Sequence, residues 1–332
     1  MKRFFQKGFL FVSPVLIWWN VELFVLPIDQ FTFRVLEAVS IFKMDAYLPK
    51  GFYPNIELKK MVAGDLQPTG PRVKYVEWYT DRYGSRTRPE ITDSTERFDM
   101  VVIGDSTIWG SHLDQKEMFA EVMMRKTGLT MYTYIWDAFA TPVFLQDPRF
   151  QKAPPRIVVW QLKRGYFYSL REGLEGVARN TPEYTEPLPE AYYPTLILID
   201  RFLKNNMWRY VRSRLGVAGS VDWRPKKTTH DIERLSEEGL EEILKFKERL
   251  SERGTKLAIL VLPDPVRDFD PLIASLEDQG IPTVGYLPSP EDPQGIGLPD
   301  FWSPIDSHWN PHAVEKTADL MIEALGLERV EQ

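Results

Sequence analysis

Apolar residues along this chain gather into five short runs, separated for the most part by stretches in which they recur every three or four positions. The runs cover residues 100–104, 130–135, 157–162, 257–262 and 282–286. Runs of this length, bounded by turn residues, predict strands buried on both faces of a sheet. The stretches between them carry helical spacing. Residues 114–124 and 313–325 show it, and residues 230–253 show it best: Glu alternates there with Lys and Arg as on a solvated helix face, and Arg253-Gly254 supplies the stop signal. Strand and helix in alternation predict an α/β fold, a doubly wound and mainly parallel five-stranded sheet with right-handed crossovers.

The same pattern marks what does not belong to the sheet. Lys2, Arg3 and Lys7 make the start basic, and residues 8–28 are nearly all apolar, broken by Ser13, Pro14, Asn20 and Glu22. A span of about 20 residues can cross the hydrocarbon core, and a basic flank keeps the N-terminus cytoplasmic. No small-residue cleavage site follows the run, so an uncleaved, single-pass anchor is expected, with the rest of the chain extracytoplasmic. The competing reading is an amphipathic hairpin buried in a soluble protein. Asn20 and Glu22 keep it open, because polar groups at bilayer depth are costly without a partner. Residues 31–42 repeat apolar positions as a juxtamembrane helix would, which makes residues 1–44 one anchoring unit.

Residues 45–98, rich in Pro and Gly, read as an irregular lead-in; residues 73–79 alternate as an edge hairpin does. Residues 99–332 form the main domain, interrupted after the third strand by residues 165–229, an insertion too long for a simple loop. A helix is expected there over residues 193–215. The insertion's Tyr166, Tyr168, Tyr184, Tyr192 and Tyr193 either stack on sugar faces in a half-wet groove or pack the insertion's own small core.

Composition narrows the function classes. The net charge is −6 and the basic residues are dispersed, so no nucleic-acid footprint exists. The absence of cysteine excludes disulfides, thiolate catalysis and cysteine metal sites. No phosphate-cradling glycine loop and no metal-ligand spacing occurs, so neither a cofactor nor a metal is expected.

The candidate chemistry lies at two element boundaries. The first predicted strand ends in Gly104-Asp105-Ser106, which delivers a serine to the carboxyl end of a parallel strand, where open α/β sheets place their sites. The helical spacing that follows puts Ser106 near a helix entrance, with backbone N–H groups able to face an anion. A serine hydroxyl is a poor nucleophile until a base takes its proton, and that base works best when a carboxylate holds its tautomer. Asp306 and His308, two residues apart before the last helix, offer both roles. Only four histidines occur, and the other one in this loop, His312, sits at a helix start and reads as a surface or capping residue.

On these residues the chain resembles the SGNH (GDSL-type) hydrolase superfamily, whose fold is flavodoxin-like. Asp306-x-His308-Trp309 resembles the alginate O-acetyltransferase branch, because many SGNH esterases carry the acid three residues before the histidine and Ile305 stands there. A third match, Thr80-Asp81 with Gly84 and Arg86, is similar to the lead-in of such proteins. The resemblance spans residues 53–325. It implies acetyl transfer through an acyl-serine on Ser106, with His308 as base and Asp306 orienting it. The acceptor would be an exported polysaccharide, and a membrane-bound O-acyltransferase partner would supply acetyl to a periplasmic domain on the cytoplasmic membrane.

Two departures bear on activity. SGNH esterases complete their oxyanion hole with a glycine after the second strand and an asparagine after the third. This chain reads Trp136-Asp137-Ala138 and Lys163-Arg164-Gly165 at those places. The Ser106 N–H and a backbone N–H near Ala138 are the candidate substitutes, and Asp105 supports the turn. Arg164 either joins the site or clamps a loop. Two alternatives stay open: a membrane-anchored carbohydrate esterase, and a non-catalytic SGNH-like scaffold or polysaccharide-binding subunit.

Overall fold

A computed structural model of the chain describes residues 2–27, 39, 52–62, 74–110, 113–135, 139–163, 170–180, 190–204, 229–262, 270–285 and 308–330. The first elements in chain order are α1 (Lys2–Phe24), the strands β1 (Glu57–Val62) and β2 (Lys74–Tyr79), α2 (Pro89–Ser94) and β3 (Met100–Gly104). Next come α3 (Phe119–Thr127), β4 (Met131–Ile135), α4 (Thr141–Gln146), α5 (Pro148–Lys152) and β5 (Ile157–Lys163). The chain continues through α6 (Leu170–Asn180), α7 (Tyr193–Lys204), α8 (Thr229–Ser251) and β6 (Lys256–Leu262). It ends with α9 (Asp270–Asp278), β7 (Thr283–Gly285) and α10 (Pro311–Leu325).

β3 to β7 form one parallel sheet in the order β4-β3-β5-β6-β7. Counted within the sheet this is 2-1-3-4-5, a flavodoxin-like doubly wound order whose direction reverses between β3 and β5. The expected α/β architecture with a five-stranded sheet is therefore present, and its strands fall on the apolar runs to within a residue or two.

Period-two alternation sorts the core into two layers. Val101 and Ile103 of β3 face Phe144 of α4, Phe150 of α5 and Phe246 of α8, while Met100 and Val102 face Met123 of α3 and Met321 of α10. β5 is buried on both sides, and its Trp160 meets Phe246 edge-on at 5.2 Å between ring centroids. Such an aromatic pair contributes about 0.5–1.5 kcal/mol beyond its burial. β1 and β2 make the separate antiparallel hairpin anticipated from the alternation in residues 73–79.

Helix boundaries follow capping chemistry. α3 stops at Gly128, whose φ of 70° lets its N–H reach Met124 O. α10 starts at Asn310, whose side chain accepts the Ala313 N–H at 2.9 Å. The helix expected over residues 114–124 is divided instead. Asp114 and Glu117 close a capping box around a 3₁₀ turn at Gln115–Glu117, and extended Met118 then restarts the chain into α3.

The residues of the expected single-pass anchor form α1, but no helix among the described residues is long and apolar enough to cross a membrane, so a membrane-spanning anchor helix is not found there. Asn20 and Glu22 break its apolar stretch; Asn20 Nδ2 donates to Leu16 O at 2.8 Å, and Glu22 is buried. The insertion's helix is described as Tyr193–Lys204. Its expected continuation and, except for Val39, the juxtamembrane helix lie outside the described residues.

Candidate active site

Gly104, the last residue of β3, lies against the Gln161 side chain of β5. A Cβ on Gly104 would lie 2.6 Å from Gln161 Oε1 and 2.9 Å from Ile108 Cγ1, so only glycine fits between the strands. Gln161 is fully buried, and its Oε1 accepts the Asp105 N–H at 2.7 Å. Beyond that bond the chain makes a single tight turn. Asp105 Oδ1 accepts the Thr107 N–H at 2.9 Å, and Asp105 O accepts from Ile108 N at 3.1 Å and Trp109 N at 3.2 Å. Trp109 Nε1 returns a bond to Gly104 O at 2.9 Å. Lys163 Nζ, at the end of β5, lies 2.6 Å from Asp105 Oδ2.

Ser106 is held in this self-contained turn, well before α3 starts at Phe119, so the serine does not sit at the mouth of α3 as its sequence spacing suggested. Gly104→Ala is expected to lower stability by about 1–3 kcal/mol through overpacking against Gln161. A urea titration showing wild-type stability for that variant would remove the close approach as a constraint.

The second half of the site arrives from 202 residues downstream. His308 is buried beside Trp309, which is 1% exposed and packs with Ala313 and Val314 of α10, and Asn310 caps the same helix. The residues on its carboxyl side thus pin His308 to the sheet. Ser106 Oγ stands 2.7 Å from His308 Nε2. With the imidazole proton on Nδ1, the hydroxyl donates to Nε2, the contact a general base needs to activate a serine. No described group accepts the Ser106 N–H, which leaves that donor available at the nucleophile.

A third segment fixes the far side of the turn. Asp81 Oδ1 accepts the N–H groups of Tyr83 at 2.9 Å and Ser85 at 2.8 Å, and its Oδ2 accepts from Thr92 Oγ1 at 3.0 Å. Burial raises the Asp81 carboxyl above its usual range, opposed by the Ser85 amide, Arg149 and the hydroxyls of Thr92 and Tyr132. Gly84, at a φ of 72°, passes so close to Phe52 that a Cβ would collide with its carbonyl oxygen. This loop presents Arg86, 1% exposed, with its guanidinium 3.6 Å over the Trp78 ring. Arg86 Nη1 donates to Trp109 O and Gly110 O, and Nη2 to Leu113 O at 2.7 Å. Burial lowers the guanidinium to about 9 against the carboxylates of Asp114, Glu121 and Glu117, so it remains cationic at neutral pH.

Of the residues singled out in the sequence, Ser106, His308 and Asp105 come together here. Asp306, Ala138 and Arg164 lie outside the described residues. His312 is exposed in the first turn of α10. Gln161 and Lys163 were not anticipated. The signal for Gln161 was present, a lone amide in the otherwise apolar Ile157-Val158-Val159-Trp160-Gln161-Leu162. Arg86 stands in the sequence only as part of a lead-in pattern, with no role attached. Among the described residues no group of His, Asp and Glu could hold a metal ion. No protein-family model, curated protein or solved structure matches the chain.

Proposed function

We propose that the chain is a serine-dependent O-acyltransferase of the SGNH type, moving an acetyl group to a hydroxyl of an exported polysaccharide. The observation that carries the reading is the 2.7 Å contact between Ser106 Oγ and His308 Nε2. It occurs at the carboxyl end of β3, beside the reversal of strand order, where doubly wound sheets bind ligands.

In this reading His308 takes the Ser106 proton as Oγ attacks the acetyl carbonyl of the donor. The tetrahedral oxyanion accepts a hydrogen bond from the Ser106 N–H. Collapse breaks the bond to the donor oxygen, His308 returns the proton to that leaving group, and acetyl-Ser106 remains. A sugar hydroxyl then gives its proton to His308, attacks the acyl-serine and leaves as the acetyl ester, and Ser106 regains its proton. Asp306 is assigned the orientation of the imidazole by the resemblance of Asp306-x-His308. The resemblance also supports a membrane-attached, extracytoplasmic setting and a membrane-bound O-acyltransferase that hands over the acetyl group.

Water in place of the sugar would turn the same steps into ester hydrolysis. The full chain is therefore to be incubated with 4-nitrophenyl acetate, with and without an acetyl-free oligosaccharide, and followed by mass spectrometry. The expected result is a mass gain of about 42 Da on the Ser106 peptide, moving to the sugar when acceptor is present. Acetyl lost only to water in the presence of acceptor would make the protein an esterase. A Ser106 peptide that never acylates would leave a non-catalytic subunit.

A further inference from the structure

α1 and α7 lie against each other although the residues that join them by hydrogen bonds are 174 to 179 positions apart in the chain. Trp19 and Phe202 stack with ring centroids 4.8 Å apart and planes 4° from parallel. The Arg201 guanidinium donates to the carbonyls that close α1: Glu22 O, Leu23 O at 3.1 Å, Leu26 O at 3.0 Å and Pro27 O at 3.3 Å. A helix end has several carbonyls without intrahelical partners, and in an apolar medium each is costly to leave unpaired. One side chain from the insertion satisfies them.

The outside of this pair is apolar. Val15, Leu16, Ile17 and Trp18 follow one another and are 55%, 47%, 65% and 42% exposed. Four consecutive helical residues sweep about 300° around the axis. A protein partner covers one face of a helix; a helix apolar on all sides fits a surrounding solvent of hydrocarbon. On α7, Ile199 and Phe202 are 39% and 49% exposed, and Tyr192 just before it is 59% exposed. The tyrosine and Trp18 have the amphipathic rings that settle at headgroup level.

The apolar stretch from Phe9 to Trp18 is bounded by Lys7 on one side and by Asn20 and Glu22 on the other. At 1.5 Å per residue it is about 15 Å long, half the roughly 30 Å hydrocarbon thickness. The basic start of the sequence and the exposed Asn20 then fall at the headgroups of the same leaflet, Glu22 being buried, and the charges of Lys2, Arg3 and Lys7 favour anionic lipid there.

We infer that α1 and α7 form a single two-helix element that embeds in one leaflet of an anionic lipid bilayer, α7 being a second lipid contact supplied by the insertion. This deepens the membrane attachment proposed above and is independent of the chemistry at Ser106.

The test is flotation of the full chain with vesicles of phosphatidylethanolamine and phosphatidylglycerol, and in parallel with phosphatidylcholine vesicles. The wild type is expected to float with the anionic vesicles and to partition more weakly into the neutral ones. Ile17→Glu and Ile199→Glu are each expected to lower the partition coefficient by at least about tenfold. Both positions are exposed, so circular dichroism and acylation of Ser106 by the soluble ester should be unchanged, and a failure of acylation would not be confused with a failure of lipid binding. A wild type that stays unbound in pure lipid would overturn the inference. An Ile199→Glu variant that partitions like wild type would reduce the lipid contact to α1 and overturn the paired element. Equal partitioning into neutral and anionic vesicles would remove the role of the basic residues.

Discussion

Ser106→Ala is expected to reduce the proposed acyl transfer by at least about a thousandfold while leaving the fold in place. Only one oxygen is removed, from a partly exposed side chain whose hydrogen bond is to His308 Nε2. Among the described residues the neighbouring carboxylate does not replace it, because Asp105 is committed to the Thr107 N–H and to Lys163. His308→Ala is expected to cost a similar factor, since the hydroxyl then has no base. The double variant should be no worse than either single one, because the two groups act as one unit and each loss removes the same step. The readouts are turnover of 4-nitrophenyl acetate, acetyl on the Ser106 peptide and thermal melting. Wild-type turnover in Ser106→Ala would remove the serine mechanism. Losses that multiply in the double variant would mean that the 2.7 Å contact does not couple the two residues in catalysis.

Arg86→Met is expected to lower stability by about 3–5 kcal/mol and to slow acylation by about two orders of magnitude at temperatures where the variant stays folded. The methionine fills part of the space and keeps contact with the Trp78 face, but it removes the guanidinium donor shared by the carbonyls of Trp109, Gly110 and Leu113, and of these Gly110 O keeps the Leu113 N–H. It also leaves Asp114, Glu117 and Glu121 without the buried cation that faces them. Those carbonyls belong to the segment directly after Ser106. Its relaxation moves the nucleophile relative to His308, and misplacements on the order of 1 Å cost about a hundredfold in rate. Arg86→Lys should not restore activity, because one ammonium cannot span three carbonyls that the planar fork reaches together. Urea unfolding gives the stability term, and the acylation rate at low temperature gives the positioning term. A variant that is less stable but acylates at the wild-type rate would make Arg86 purely structural.

The two site residues in contact were legible for different reasons. Ser106 stood out because a continuous apolar run ended in small and polar residues, and strand ends are where parallel sheets expose chemistry. His308 stood out because the chain has few histidines and this one precedes a helical pattern. Gln161, Lys163 and the clamp by Arg86 were much harder to see. Gln161 is one amide within an apolar strand, and its value comes from the register that sets β5 against β3. Arg86 is a surface residue by type. It becomes a buried cation only because Trp78 stacks on it and three carboxylates face it. The division of residues 114–124 was missed because helical apolar spacing outweighed the capping box of Asp114 and Glu117, a local hydrogen-bond pattern strong enough to stop the chain.

By itself the sequence determined the number of strands in the main sheet, their approximate bounds and the class of the sheet, because the burial of a parallel strand on both faces leaves a short apolar run bounded by turn residues, here alternating with helical stretches. Local chemistry also determined the helix stops at Gly128 and Gly326, where a positive φ excludes most other residues. The order β4-β3-β5-β6-β7 and the meeting of Ser106 with His308 across 202 residues were decided by tertiary structure alone. The same is true of the pairing of α1 with α7. Such contacts come from packing between distant segments, and each chain segment specifies only the face it offers, not the partner that will cover it.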